Sequence, residues 1–222
     1  MAYTAADVKE LRAKTGAGMM DCKNALVETD GDIDKAVALL REKGLAGAEK
    51  KAGRIASEGI VDSYIHGGRI GVLIEVNTET DFVAKNEDFK RFVKDMAMQV
   101  AASNPKYVSR EEIPESVVAN ERQVLVNQAM NESAEKNIPE DKAKMIAEKK
   151  VEGRMEKFFE DVCILDQPFI KDPSRKVGEI LTELISVIGE NIKIRRFMRY
   201  EVGEGLEKRE ENFAEEVAKQ IG

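Results

Sequence analysis

The sequence predicts an α+β fold: a small antiparallel sheet of about three strands covered by helices, with a separate three-helix unit in front. Three observations lead there. The stretch "GIVDSYIHGGRIGVLIEVN", residues 59–77, holds two runs rich in β-branched residues on either side of Gly67-Gly68, a dipeptide suited to the positive φ angles of a two-residue hairpin turn. "NIKIRRFMRYEVGEG", residues 191–205, offers a further strand through Ile192, Ile194, Phe197 and Val202, and one is needed because a lone hairpin is only marginally stable. Between these stretches apolar residues recur at helical spacing, so helices cover the sheet.

Residues 1–44 read as the three-helix unit. Thr4 caps a first helix with Asp7 in its first turn and Val8 and Leu11 on one face. "TGAGMMD" breaks it at Gly16 and Gly18. A second helix, about Met20 to Glu28, presents Cys22, Ala25 and Leu26, and Asp32 caps a third with the stripe Ile33, Ala36, Val37 and Leu40. Gly44 is placed to end that helix. So short a unit makes a thin core, which suits a recognition domain beside a larger one. Residues 45–58, "LAGAEKKAGRIASE", are small and basic and read as a partly helical linker whose Lys50, Lys51 and Arg54 are solvated.

Residues 59–205 form the α+β core. Ile70, Val72, Ile74 and Val76 alternate with Gly71, Leu73, Glu75 and Asn77 and give the second strand an apolar face. Asn86 caps a helix in which Phe89, Phe92, Val93, Met96 and Val100 face the sheet. Two more helices, 114–135 and 139–163, flank "KNIP", with Pro139 suited to a first helical position. Met145, Met155, Phe158, Phe159 and Val162 read as core. "DQPFIKDPSR" reads as an irregular connection, 174–190 as a helix, and 206–222 as a final helix with Phe213, Val217 and Ile221. Arg195, Arg196 and Arg199 are expected solvated or paired.

Composition narrows the function. A net charge of −7 leaves no global basic footprint for nucleic acid. No apolar run approaches the ~20 residues of a membrane span, and the start "MAYTAADVKE" lacks the layout of a signal or transit peptide. A cytoplasmic location is expected. The single histidine, His66, nearly excludes His-based zinc sites and Ser-His-Asp triads. Cys22 and Cys163 stand far apart and read as buried free thiols. "TGAGMMDCK" contains GxG, yet it lies between helices and follows no strand, so it is not a phosphate loop. Glu75, Glu79 and Asp81 cluster near a strand end without the spacing of a metal site. No catalytic residues, cofactor or metal are expected.

One stretch resists this reading. In "IEVNTETDFVAK", residues 74–85, an apolar strand gives way to polar residues and then to Phe82. Either Phe82 and Val83 anchor the following helix internally, with Asp81 as turn former, or the ring is presented to another protein. Residue types alone favour internal packing.

"LRAKTGAGMMDCKNAL", residues 11–26, and "EVNTETDFVAK", residues 75–85, resemble the two signatures of the bacterial-type elongation factor Ts family, and "VCILDQPFIKDPSRKVGEIL" and "RYEVGEG" resemble further family segments. The likeness covers essentially the whole chain and fits the shorter form of the family. Asn24 stands where a basic residue is more frequent. The resemblance implies a guanine-nucleotide exchange factor for elongation factor Tu that performs no bond chemistry, with a UBA-like three-helix domain. By the same matching, Asp81 and Phe82, flanked by Thr80 and Val83, are the pair that intrudes on the partner's magnesium and nucleotide site. Leu11, Arg12, Thr15, Gly16, Gly18 and Met19 belong to a first contact surface, and the C-terminal tail to another. A homodimer is expected to make up for the single core half. The competing reading is a non-catalytic adaptor for a ubiquitin-like or translation protein.

Overall fold

The computed structural model describes residues 3–136 and 138–206. Helix α1, Ala5–Thr15, begins with a capping box: the Asp7 amide donates to the Thr4 hydroxyl and the Thr4 amide to the Asp7 carboxylate. It stops at Gly16, where φ of 67° lets the amide turn back to the Arg12 carbonyl at 2.8 Å. Helix α2 spans Met19–Glu28 and α3 spans Ile33–Lys51, capped by the Asp32 side chain. Val8, Leu11, Cys22, Ala25, Leu26 and Ala36 form the core of this unit.

Gly44 does not end α3. The helix runs on to Lys51 through the first half of the segment expected to be a linker. Gly44 is buried against another helix, and a Cβ there would stand 3.2 Å from the Ser186 hydroxyl oxygen. The small residues that suggest a flexible tether instead allow two helices to approach closely. Ala48, on the last turns of α3, belongs to the main core.

The chain continues through β1, Glu58–His66, and β2, Ile70–Thr78, joined by Gly67, Gly68 and Arg69, one residue more than the expected two-residue turn, with φ of 53° and 68° at the glycines. One short turn, α4, Asp81–Ala84, precedes α5, Glu87–Ser103, whose first amides are capped by Asn86. Helices α6, Glu115–Glu135, and α7, Glu140–Val162, pair as a hairpin. Leu125, Val151 and Met155 lie between them, and Glu132 bridges Lys150 and Arg154. Met145, expected in the core, is exposed, because Ala143 and Ala147 take the inward positions of α7.

The connection expected to be irregular holds a small hairpin, β3, Pro168–Phe169, and β4, Asp172–Lys176. A buried side chain organises it: Gln99 donates to the Pro168 carbonyl and accepts from the Ile170 amide, standing in for backbone partners. Helix α8, Val177–Ile188, and β5, Ile192–Glu201, follow. Val202, expected in the strand, lies past its end and is exposed.

Strands β1, β2 and β5 make one antiparallel sheet in the order β1-β2-β5. Glu75 pairs with Arg196 while Val76 pairs with Ile194, so Arg195 is a bulge. That extra residue shifts the phase of β5, and Ile192, Ile194 and then Phe197 all face the helices. Val72, Ile74 and Val76 meet Phe89, Phe92, Val93, Met96 and Val100 of α5 and Val177, Leu181 and Ile185 of α8. The other sheet face is open, with Val61, Ile65, Leu73, Met198 and Tyr200 exposed. Among the described residues no helix is long and apolar enough to cross a membrane. The expected final helix falls, beyond Leu206, outside the described residues.

Candidate functional site

The site is built where β2 runs out. After Thr78 the chain turns through Glu79 and Thr80 into α4, and the segment linking α8 to β5 holds that turn in place. The Glu190 carboxylate accepts from the Thr78 hydroxyl at 2.9 Å, the Thr80 amide at 3.0 Å and the Thr80 hydroxyl at 2.7 Å. Burial works to raise its pKa, but these hydrogen bonds outweigh burial and hold the carboxyl below its ordinary range. In return, Glu79 accepts from the Asn191 amide at 2.6 Å and from Arg54 at 3.4 Å. The buried Asn191 side chain donates to the Ala52 and Arg54 carbonyls just past α3.

On this mount sits a single helical turn. Val83 and Ala84 pack against the main core. Four residues of helix cannot bury every face, and Phe82 is left 79% exposed. The internal-packing reading of Phe82 is thereby overturned: Val83 is the anchor and the Phe82 ring points outward. Asp81, also exposed, pairs with Lys85 at 2.6 Å, and the Lys85 ammonium stands 5.8 Å from the centre of the Phe82 ring.

The second group of expected residues lies at the α1–α2 corner. Arg12, Gly16, Gly18 and Met19 are exposed, and Thr15 is half-buried with its hydroxyl donating to the Leu11 carbonyl at 2.8 Å. Leu11 is fully buried in the three-helix core, so it supports this surface from beneath and cannot touch a partner directly. Met20, which sequence reasoning omitted, is more exposed than Met19. Two adjacent methionines opening a short helix were the available signal, since a thin core cannot take both.

The two groups are neighbours across the end of α8. A Cβ on Gly16 would stand 3.3 Å from Val187, and Glu190, three positions later, holds Thr80. Glu190 and Asn191 were not legible as site residues. They act on backbone and hydroxyl groups over a hundred positions away, and no spacing encodes such pairs.

The acidic residues near the strand end do not converge. Glu75 pairs with Arg196, Glu79 with Arg54 and the Asn191 amide, and Asp81 with Lys85. Among the described residues no set of side chains is arranged to hold a metal ion. Cys163 is fully buried, and burial together with the nearby Asp166 carboxylate pushes its thiol up to about 11; Cys22 is likewise buried and free.

An exposed aromatic ring on a hydrogen-bonded mount and an exposed, methionine-bearing corner are surface features of the kind that mark contact between proteins. The elongation factor Ts family profile matches residues 3–204. The chain is 72% identical over 219 residues to elongation factor Ts of Finegoldia magna, covering 99% of this chain and 98% of that one. It is 62% identical over 221 residues to elongation factor Ts of Alkaliphilus oremlandii, covering 100% and 99%. The chain belongs to the elongation factor Ts family. Its role is guanine-nucleotide exchange in translation elongation.

Proposed function

We propose that this chain binds elongation factor Tu in the cytoplasm and promotes GDP release by placing Phe82 among the helices of the partner's GTP-binding domain, while Asp81 disturbs the magnesium environment. The observation that carries this reading is the exposed Phe82 ring on a turn held by Glu190 and Glu79. The α1–α2 corner, through Arg12, Thr15, Gly16, Gly18 and Met19, supplies a second contact on the same partner.

Magnitudes decide how the work divides. A nanomolar nucleotide is bound by about 12 kcal/mol, whereas burying one Phe contributes about 1.5–3 kcal/mol. The ring cannot expel GDP alone. The rest comes from an interface that fits the nucleotide-free partner better than the loaded one. A thousandfold acceleration needs about 4 kcal/mol off the release barrier. Linkage then requires GDP to weaken the factor as much as the factor weakens GDP, so GTP in excess completes the cycle. No bond is made or broken.

The test is the rate at which a fluorescent GDP analogue leaves elongation factor Tu as the factor is titrated. Faster release by the intact chain, and its loss in Phe82→Ala, is the expected outcome. Release unaffected by the chain refutes the proposal.

A second copy completes the assembly in this reading. Rows Ser63–Leu73–Met198 and Ile65–Gly71–Tyr200 align across the open sheet face, with Ile65, Leu73, Met198 and Tyr200 exposed. Contiguous apolar patches of this kind mark contact surfaces, and two such sheets pack face to face about 10 Å apart.

A further inference from the structure

We infer that Glu190 and Asn191 are positioning residues for exchange: from the α8–β5 turn they fix the Asp81–Phe82 turn relative to the α1–α2 corner without belonging to either contact surface. The inference rests on the reading of Phe82 as the intruding ring.

Three donors converge on Glu190, two hydroxyls and one amide. Only a carboxylate can accept all three with both oxygens, because a glutamine would present an NH2 group to one of them. The arrangement also redirects Thr80. As the residue before α4 it would ordinarily turn its hydroxyl to the helix's own first amides, yet it makes no such cap. Its hydroxyl goes to Glu190 instead, so the aim of α4 is set from outside the helix.

Asn191 closes the other half. Its amide holds Glu79, and its side chain, 1% exposed, holds the carbonyls of Ala52 and Arg54. Ala52 is the residue that ends α3. The end of the long helix and the residue before Thr80 therefore hang on one asparagine. Val187 meets Gly16 a few positions upstream. The stretch 187–191 thus touches the supports of both contact surfaces. A ring carried on a yielding turn would push without effect, and a contact group acts at a defined place only when the residues behind it are fixed.

The experiment uses the full chain, elongation factor Tu loaded with a fluorescent GDP analogue, and the variants Glu190→Gln, Phe82→Ala and their combination. Glu190→Gln is expected to lower the release rate at saturating factor about tenfold, the loss expected for hydrogen bonds to a charged group. The half-saturating concentration should change by less than about threefold, because the contact side chains remain. Hydrogen exchange at the Thr80 amide should accelerate. In the combined variant Glu190→Gln should add less than about twofold to the loss already caused by Phe82→Ala, since residues acting as one unit are not additive. Should Glu190→Gln fail to fold, Thr80→Val, which removes one donor, carries the same comparison. A saturating rate within about twofold of the unsubstituted chain, or losses that simply multiply, overturns the positioning inference. Normal release by Phe82→Ala alone would instead remove the reading beneath it.

Discussion

Replacing Phe82 by alanine separates its role in the fold from its role toward the partner. The ring is 79% exposed, so the folded chain loses only about a fifth of a full burial. At about 1.5–3 kcal/mol for a whole Phe side chain, that fraction is roughly 0.3–0.6 kcal/mol. The Lys85 ammonium 5.8 Å from the ring adds about 0.5 kcal/mol at an exposed site. Alanine's better helix propensity returns roughly 0.5 kcal/mol. The net change in stability is under about 1 kcal/mol, which moves Tm by no more than about 2–4 °C in a chain of this size. On the proposed function the same ring is fully buried in the complex, and losing about 2–3 kcal/mol from the transition state slows release roughly 30- to 160-fold. A thermal melt followed by circular dichroism and a stopped-flow GDP-release assay measure the two quantities on one preparation. Phe89→Ala is the contrasting control: that ring is fully buried, and its loss costs about 3–5 kcal/mol of stability. A fall in Tm of more than about 8 °C for Phe82→Ala with undiminished release would refute the reasoning.

Asp81→Ala, which also frees Lys85, is expected to slow GDP release most at high magnesium; a magnesium titration that shows the same deficit throughout counts against its proposed role. Leu73→Arg places a charge at the centre of the open sheet face and should shift sedimentation from dimer to monomer; a monomer at every concentration of the unsubstituted chain contradicts the proposed second copy. Cys163, with its thiol at about 11, should resist alkylation of the native chain at pH 8 and react on unfolding, as mass spectrometry of the labelled peptide will report. Acid should loosen the Phe82 turn. The Glu190 pKa is lowered in the fold from its ordinary 4.5, so its stabilising contribution is present above that value and lost as pH falls through the lowered one. The protection of the Thr80 amide, its exchange rate relative to the intrinsic rate at the same pH, should fall over that range, and Glu190→Gln should remove that fall.

Much of the fold was legible because its signals are local. Thr4, Asp32 and Asn86 cap the helices they precede in sequence, and Gly67-Gly68 turns the hairpin it interrupts. Gly44 misled because closeness between helices and looseness in a tether both call for small residues; only the presence of Ser186 opposite distinguishes them. The β3–β4 hairpin was hidden because the Pro168 carbonyl and the Ile170 amide are satisfied by the distant Gln99 side chain. At the site, the sequence offered Phe82 without its direction. Whether a ring in a single turn faces in or out depends on which neighbour the core accepts, and here it accepts Val83 and Ala84. Leu11 shows the converse: membership in a recognisable stretch did not distinguish a contact residue from the packing beneath it.

Helix α3 contributes Ala36 to one hydrophobic cluster and Ala48 to the other, and this makes it a ruler. Inserting a single residue between them would advance the far end by about 1.5 Å and swing it through roughly 100°. Arg12 and Met19 would then face a different direction from Phe82. Tolerance to length change, high in an ordinary tether, should be almost nil along this helix, and substitutions that keep its length should be accepted far more readily than any insertion or deletion.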